Sequence, residues 1–240
     1  MENVLIIGGT SGIGEAAASA FVARGDSVTV AGRDEERLRA ALGRLGDGVK
    51  GAALDAGDPK ATARLAASLA PIDVLVLSVG SGIGAGPFEQ LALERLRTGF
   101  DGKFWPQIGA LQQALPSLAE TAAVVFVTAA SARAALPGTA GLAAINGALD
   151  AMVPPLAAEL APKRVNAVSP GVVDTPWWAG QPRELKEATF EALARAIPAG
   201  RIGEPADIAT AILFFADAEY VTGTVVDCAG GAQLATGPPG

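Results

Sequence analysis

The chain has 240 residues, with 18 Lys and Arg against 25 Asp and Glu, and a formal net charge of -7. That length suits one α/β domain burying about 70–75% of its unfolded surface, without help from a metal or a disulfide, and the negative charge argues against nucleic acid or an anionic membrane as partner. A single cysteine, Cys228, and no histidine rule out an intrachain disulfide, a His-based triad and the commonest metal ligand, so no metal site is expected. The start, Met1-Glu2-Asn3, lacks the pattern of a signal peptide. No apolar run approaches the ~20 residues of a membrane span, so the expected location is cytoplasmic.

Short β-branched runs alternate with alanine-rich stretches along the chain, the pattern of parallel βαβ units. Val4 to Ile7 forms a first, fully covered strand, followed by a helix from about Gly12 to Arg24 that stops at Gly25. Val28 to Ala31 is the second strand, and Asp34 caps the next helix, whose last turn is basic at Arg44. A third strand ends at Leu54-Asp55, and Asp58-Pro59 opens a helix. Val74 to Ser78 and Val124 to Thr128 are the fourth and fifth strands. Two helices are expected between about Phe88 and Leu115, with a break near Thr98-Gly99. A helix from about Gly138 to Leu160 should kink at Pro154-Pro155. Val165 to Val168 and Thr224 to Asp227 complete about seven strands, and Gly237 to Gly240 should be a loose tail. Ser169 to about Gly203 holds four prolines with adjacent Trp177 and Trp178. It reads as an irregular connection bordering a ligand crevice, with residues 174–203 as a substrate lid.

Gly8-Gly9-Thr10-Ser11-Gly12-Ile13-Gly14 lies between the first strand and its helix. In that context glycines permit a sharp turn, close approach of the backbone to a pyrophosphate, and a helix N-terminus aimed at the negative charge. The expected fold is a Rossmann-type doubly wound parallel sheet, helices on both faces, in one domain over residues 1–240.

The Gly-x3-Gly-x-Gly spacing, with Ile13 between the last two glycines, resembles the short-chain dehydrogenase/reductase family, and the resemblance runs along nearly the whole chain. It implies that Asp55, with Ala56 beside it, reaches the adenine. It also implies that Ser78-Val79-Gly80 stands for the family's Asn-Ala-Gly turn, and that Pro170, Gly171, Val172 and Thr175 lie beneath the nicotinamide. Gly200-Arg201-Ile202-Gly203 and Thr222-Gly223 complete the pattern. An acidic residue at the end of the second strand would bind a free ribose hydroxyl. Ala31-Gly32-Arg33 stands there instead, so Arg33, aided by Thr10 or Ser11, can pair with a 2′-phosphate, and NADP(H) is favoured over NAD(H).

Family members reduce carbonyls with a Tyr, a Lys four residues later, a Ser thirteen residues before the Tyr, and an Asn on an earlier helix. By the resemblance these positions fall on Leu142, Asn146, Ala129 and Gly99, and leucine cannot donate a proton. Two substitutes stand close by. Thr128, one residue before Ala129, can aim a hydroxyl at the substrate or make ordinary strand-end hydrogen bonds. Lys103, one helical turn after Gly99, can reach into the space left by the Asn, or be an exposed lysine paired with Asp101. Asn146 can bond the nicotinamide ribose. Ser131 and Arg133 belong to a loop that either rims the pocket or is simply solvated. Trp177 and Trp178 either stack on a flat apolar substrate or fasten the lid. The one tyrosine, Tyr220, is expected to pack beside the last strand.

The chemistry implied is carbonyl/alcohol redox with a non-standard proton donor. Alternatives are a non-catalytic NADP(H)-binding sensor or partner protein, and a non-redox isomerase or dehydratase. The substrate is a small molecule that the sequence does not specify. The resemblance implies a homodimer or homotetramer built on the helices around 99–115 and 140–160 and on the last strand.

Overall fold

The computed structural model of the chain describes residues 1–234, so the tail expected to be loose lies outside them. Among the described residues, strands β1 (Asn3–Ile7), β2 (Ser27–Gly32), β3 (Val49–Ala53), β4 (Ile72–Leu77), β5 (Leu118–Val127), β6 (Arg164–Pro170) and β7 (Val225–Cys228) form one parallel sheet. Its order is β3-β2-β1-β4-β5-β6-β7. The order reverses between β1 and β4, and sheets of this kind bind ligands at that switch, outside the carboxyl ends of the strands.

Side chains alternate across the sheet and feed two cores. Leu5, Ile7, Leu75, Leu77, Val124 and Phe126 pack on one face with Phe104, Ile145 and Leu149. Val4, Ile6, Val28, Val74, Val76 and Val125 pack on the other with Phe21, Ile208 and Phe215. Six α-helices flank the sheet: α1 (Gly12–Arg24), α2 (Glu35–Leu45), α3 (Pro59–Leu69), α4 (Leu93–Ala114), α5 (Ala140–Glu159) and α7 (Pro205–Asp217); a seventh among the described residues, α6 (Arg183–Ala196), lies in the connection after β6 and buries none of its residues.

The local stop signals act as expected. Gly25 ends α1 in the left-handed region at φ 91°. The Asp34 carboxylate accepts from Arg37 N, and that of Asp58 accepts from Lys60 N and Ala61 N.

Three expectations are corrected. No break falls at Thr98-Gly99: α4 runs unbroken over 22 residues, preceded by a one-turn helix at Phe88–Gln90. The connection after β6 is not irregular, because it contains a one-turn helix at Pro176–Trp178 and all of α6. Helix α5 is long and apolar enough to pass for a membrane span by length and composition. Its face of Ile145, Leu149, Val153 and Ala157 is nevertheless spent on the core. It also continues through Pro154 and Pro155 to Glu159.

Candidate active site and cofactor cleft

The glycine turn closes backbone on backbone. Gly8 has φ +90°, and a Cβ there would lie 2.6 Å from the Ser78 carbonyl group; one at Gly14 would lie 2.2 Å from Gly8 O. Substituting either therefore displaces main chain, not a side-chain tip. Ser11 holds the N-cap position of α1 but makes no side-chain capping bond, so its hydroxyl and the first-turn N–H groups remain available to a phosphate. At Gly12 a Cβ would come 3.3 Å from Thr175, which brings the residue after the β6 loop onto the turn. Ile13 is half-buried against the core around Phe21.

At the tip of β2, the missing side chain of Gly32 makes room for Thr10, whose Oγ1 would lie 2.8 Å from a Cβ there. Arg33 follows, exposed and in no ion pair among the described residues. A hydroxyl and an unpaired guanidinium thus sit together where a ribose phosphate would fall. Asp55 accepts from Gly57 N at 3.0 Å and shapes the turn after β3, with Ala56 buried beneath. Ser78 N donates to Ile7 O at 2.8 Å, and Gly80 has open space around it. Beyond β6, which ends at Pro170, Gly171 N donates to Cys228 O at 3.1 Å, and Val172 O accepts from Gly203 N at 3.0 Å. These residues fit a dinucleotide: the turn is a cradle that a Cβ would fill, and although Gly8 N and Gly9 N donate to Ala31 O, the Ser11 hydroxyl at the start of α1 makes no capping bond.

Helix α4 presents Gly99, Lys103 and Gln107 at successive turns on one buried face. Lys103 is 7% exposed, and its Nζ donates to Thr128 O at 3.0 Å. Burial pushes the ammonium down to about 8, against the opposing field of Asp150. Thr128 lies one residue past β5, fully buried, with its Oγ1 3.3 Å from Val168 O.

Lys103 does not occupy the space expected for the Asn. A Cβ on Gly99 would lie 2.6 Å from Ile83 O and 2.7 Å from Ile145 Cδ1, so the loop after β4 has filled that space. Asp101 is exposed and forms no pair with Lys103. Gln107 was not singled out by sequence reasoning. Its Nε2 donates to Val79 O at 2.7 Å, and its Oε1 is buried without a partner. The i, i+4 spacing from Lys103 was the signal that could have found it.

On α5, Leu142 is half-buried and Asn146 buried one turn later. Asn146 Nδ2 donates to Leu142 O at 2.9 Å and to Ser131 Oγ at 3.2 Å, while its Oδ1 has no partner. One further turn on is Asp150, also missed from the sequence although its spacing from Asn146 placed it on this face. Arg133 bridges Asp150, at 2.7 Å, and Asp227 of β7. The Ser131–Arg133 segment is therefore tied into the site. Burial raises the Asp150 carboxyl, against the Thr128 hydroxyl and the Arg133 guanidinium. Ala129 is half-buried between Thr128 and this segment.

The connection after β6 is fastened by its aromatics. Trp177 lies on Gly82, with Nε1 2.9 Å from where a Cβ would be. Trp178 Nε1 donates to Val173 O at 3.0 Å, and its ring meets Trp177 at 4.7 Å and Phe190 at 5.2 Å. Tyr220, expected to pack beside β7, is instead fully exposed on the turn after α7.

The family model described as enoyl-(acyl carrier protein) reductase matches residues 8–233. Among curated proteins, the short-chain dehydrogenase/reductase ATR9 of Stachybotrys chlorohalonatus is 30% identical over 97% of each chain. Among solved structures, a small-chain dehydrogenase in complex with NADPH is 30% identical, with a TM-score of 0.84 over 98% of this chain and 100% of the other. A short chain oxidoreductase from Pseudomonas aeruginosa PAO1, described as containing an atypical catalytic center, is 30% identical with a TM-score of 0.87 over 95% of each chain.

Proposed function

Because this chain belongs to the short-chain dehydrogenase/reductase family, oxidoreductases built on a nicotinamide-binding fold, we propose that it binds NADP(H) and interconverts a carbonyl and an alcohol with Lys103 as proton donor. The observation that carries this reading is the buried Lys103 amine held on the Thr128 carbonyl at the end of β5. Bound NADPH supplies the hydride. Lys103 holds a proton on Nζ, and the Thr128 carbonyl occupies only one of its three N–H groups. As the carbonyl becomes an alcohol, the ammonium gives that proton to the oxygen and is left a neutral amine. In the reverse direction the amine takes the proton back. An acid whose pKa lies near 8 exchanges protons readily at neutral pH.

Gln107, bonded to Val79 O, ties α4 to the turn after β4 and keeps Lys103 in register. Asn146 offers its unpaired Oδ1 to the nicotinamide ribose. Ser11, Gly12 and the start of α1 hold the pyrophosphate, and Arg33 with Thr10 favours the 2′-phosphate. Exposed Ile83, Leu136 and Trp177, on loops after β4, β5 and β6, support an uncharged, apolar substrate. Copies of the chain pair through surfaces that include exposed Trp105 of α4, and Phe214 and Val226 near the sheet edge.

The test is NADPH oxidation against a panel of apolar ketones, aldehydes and quinones. Lys103→Ala should lower kcat by about 100-fold or more while leaving NADPH binding within a few-fold. Undiminished turnover in that variant overturns the donor role. Titration should show NADPH binding more tightly than NADH, with Arg33→Ala removing most of the difference; a preference for NADH overturns the cofactor choice. Leu142 and Ala129, which lack hydroxyls, favour one second reading, a non-catalytic NADP(H)-binding protein. Binding without turnover across the panel selects it.

A further inference from the structure

Lys103 and Asp150, on neighbouring helices α4 and α5, both approach Thr128. The Thr128 carbonyl takes the Lys103 ammonium at 3.0 Å, and its hydroxyl lies between the Val168 carbonyl and the Asp150 carboxylate. Asp150 is not a free carboxylate. Its Oδ2 accepts from Arg133 Nη1 at 2.7 Å, its Oδ1 is buried without a hydrogen-bond partner, and its side chain is only 10% exposed. The second arm of Arg133 is held by Asp227.

We propose that Asp150 is the counter-charge that keeps the proton on Lys103, and that Arg133 sets how much of that charge Lys103 receives. The link to turnover rests on the donor role proposed above; the pairing itself does not.

The surroundings make Asp150 the dominant charge on Lys103. On α4, neighbouring Asp101 is exposed. On α3, packed against α4, Lys60 and Arg64 are exposed. On β4, Asp73 lies at the amino end of the sheet, bonded to Asn3 N. From α5, β7 and the loop between β5 and α5 come Asp150, Asp227 and Arg133. Inside a low-dielectric core a single carboxylate acts strongly across a few ångströms, and a guanidinium on that carboxylate cancels part of its field. The two residues should therefore act on Lys103 with opposite signs. Removing Asp150's charge favours the neutral amine; removing Arg133's charge favours the ammonium. An ammonium that loses its counter-charge is protonated in a smaller fraction of molecules at neutral pH and donates less.

The experiment follows the Lys103 side chain by NMR of lysine-labelled protein through a pH titration, without substrate, in wild type, Asp150→Asn and Arg133→Gln. Wild type should titrate at about 8. Asp150→Asn should lower the midpoint by about 1 pH unit or more, and Arg133→Gln should raise it. The alkaline limb of the kcat profile should move in the same two directions, with Asp150→Glu restoring the wild-type profile. A merely structural role for either residue would lower activity without opposed shifts. An unmoved midpoint in Asp150→Asn, or shifts of the same sign in both variants, overturns the proposal. Should Asp150→Asn not fold, Arg133→Gln at its half-exposed position still decides, because an unmoved or lowered midpoint there overturns the proposal too. Lys103→Met separates the two readings. Full turnover in it removes the donor role, while opposed shifts in the other variants keep the pairing.

Discussion

A lysine ammonium buried with one hydrogen bond weakens the fold that holds it. Lys103 has its pKa lowered in the folded chain from 10.5 to about 8, so the folded state binds fewer protons than the unfolded state between those values. The penalty is complete below about pH 8, shrinks as the pH rises towards 10.5, and is absent above it. Lys103→Met should therefore stabilise the protein at pH 7, by up to about 3 kcal/mol. Urea unfolding of both proteins over that window should show the advantage of the variant vanishing as pH rises. A gain that grows with pH would refute this account. The same residue marks what the sequence revealed at this scale. Its spacing from Gly99 put it on the same face of α4 but left open an exposed lysine paired with Asp101; the structure buries it. Its partners Thr128 O and Asp150 were not legible, because helical spacing names a face and not the groups that meet it from other elements.

Helix α4 was expected to break at Gly99, since Thr98-Gly99 is poor in helix propensity. Tertiary packing overrides that local preference. The bare backbone at Gly99 admits the Ile83 carbonyl and the Ile145 methyl group, and Gly141 of α5 admits Gly84 O in the same way. Gly99→Asn should accordingly cost roughly 1–3 kcal/mol and disturb the loop after β4. Leu142→Tyr with Asn146→Lys, made at positions that already carry side chains, should be milder. Thermal unfolding of the two proteins tests the ranking, and a Gly99→Asn protein as stable as wild type sinks it. Helix α6 was missed for the opposite reason. Its sequence, Arg183 to Ala196, is rich in good helix formers, but Pro182 and Pro198 at its flanks drew the whole segment into a loop reading.

The architecture of the molecule was the most legible level. Alternating apolar runs and capped helices pointed to a parallel sheet of about seven strands, because two-sided burial imposes a long-range pattern that no single tertiary contact can disguise; the strand order is added by the structure. Surface assembly was less so, since an exposed Trp105 and a buried one look alike in sequence. If copies pair through α4, Trp105→Glu should lower the mass seen by light scattering while leaving the monomer folded; an unchanged mass places the contact elsewhere. The loop lodged against Gly99 and Gly141 also makes this stretch of α4 resistant to single changes. A side chain at Gly99 requires the loop to withdraw first, and a loop that withdraws alone leaves a void against α4 and α5. Changes at the two places are therefore coupled, and a double substitution should cost less than the sum of its parts.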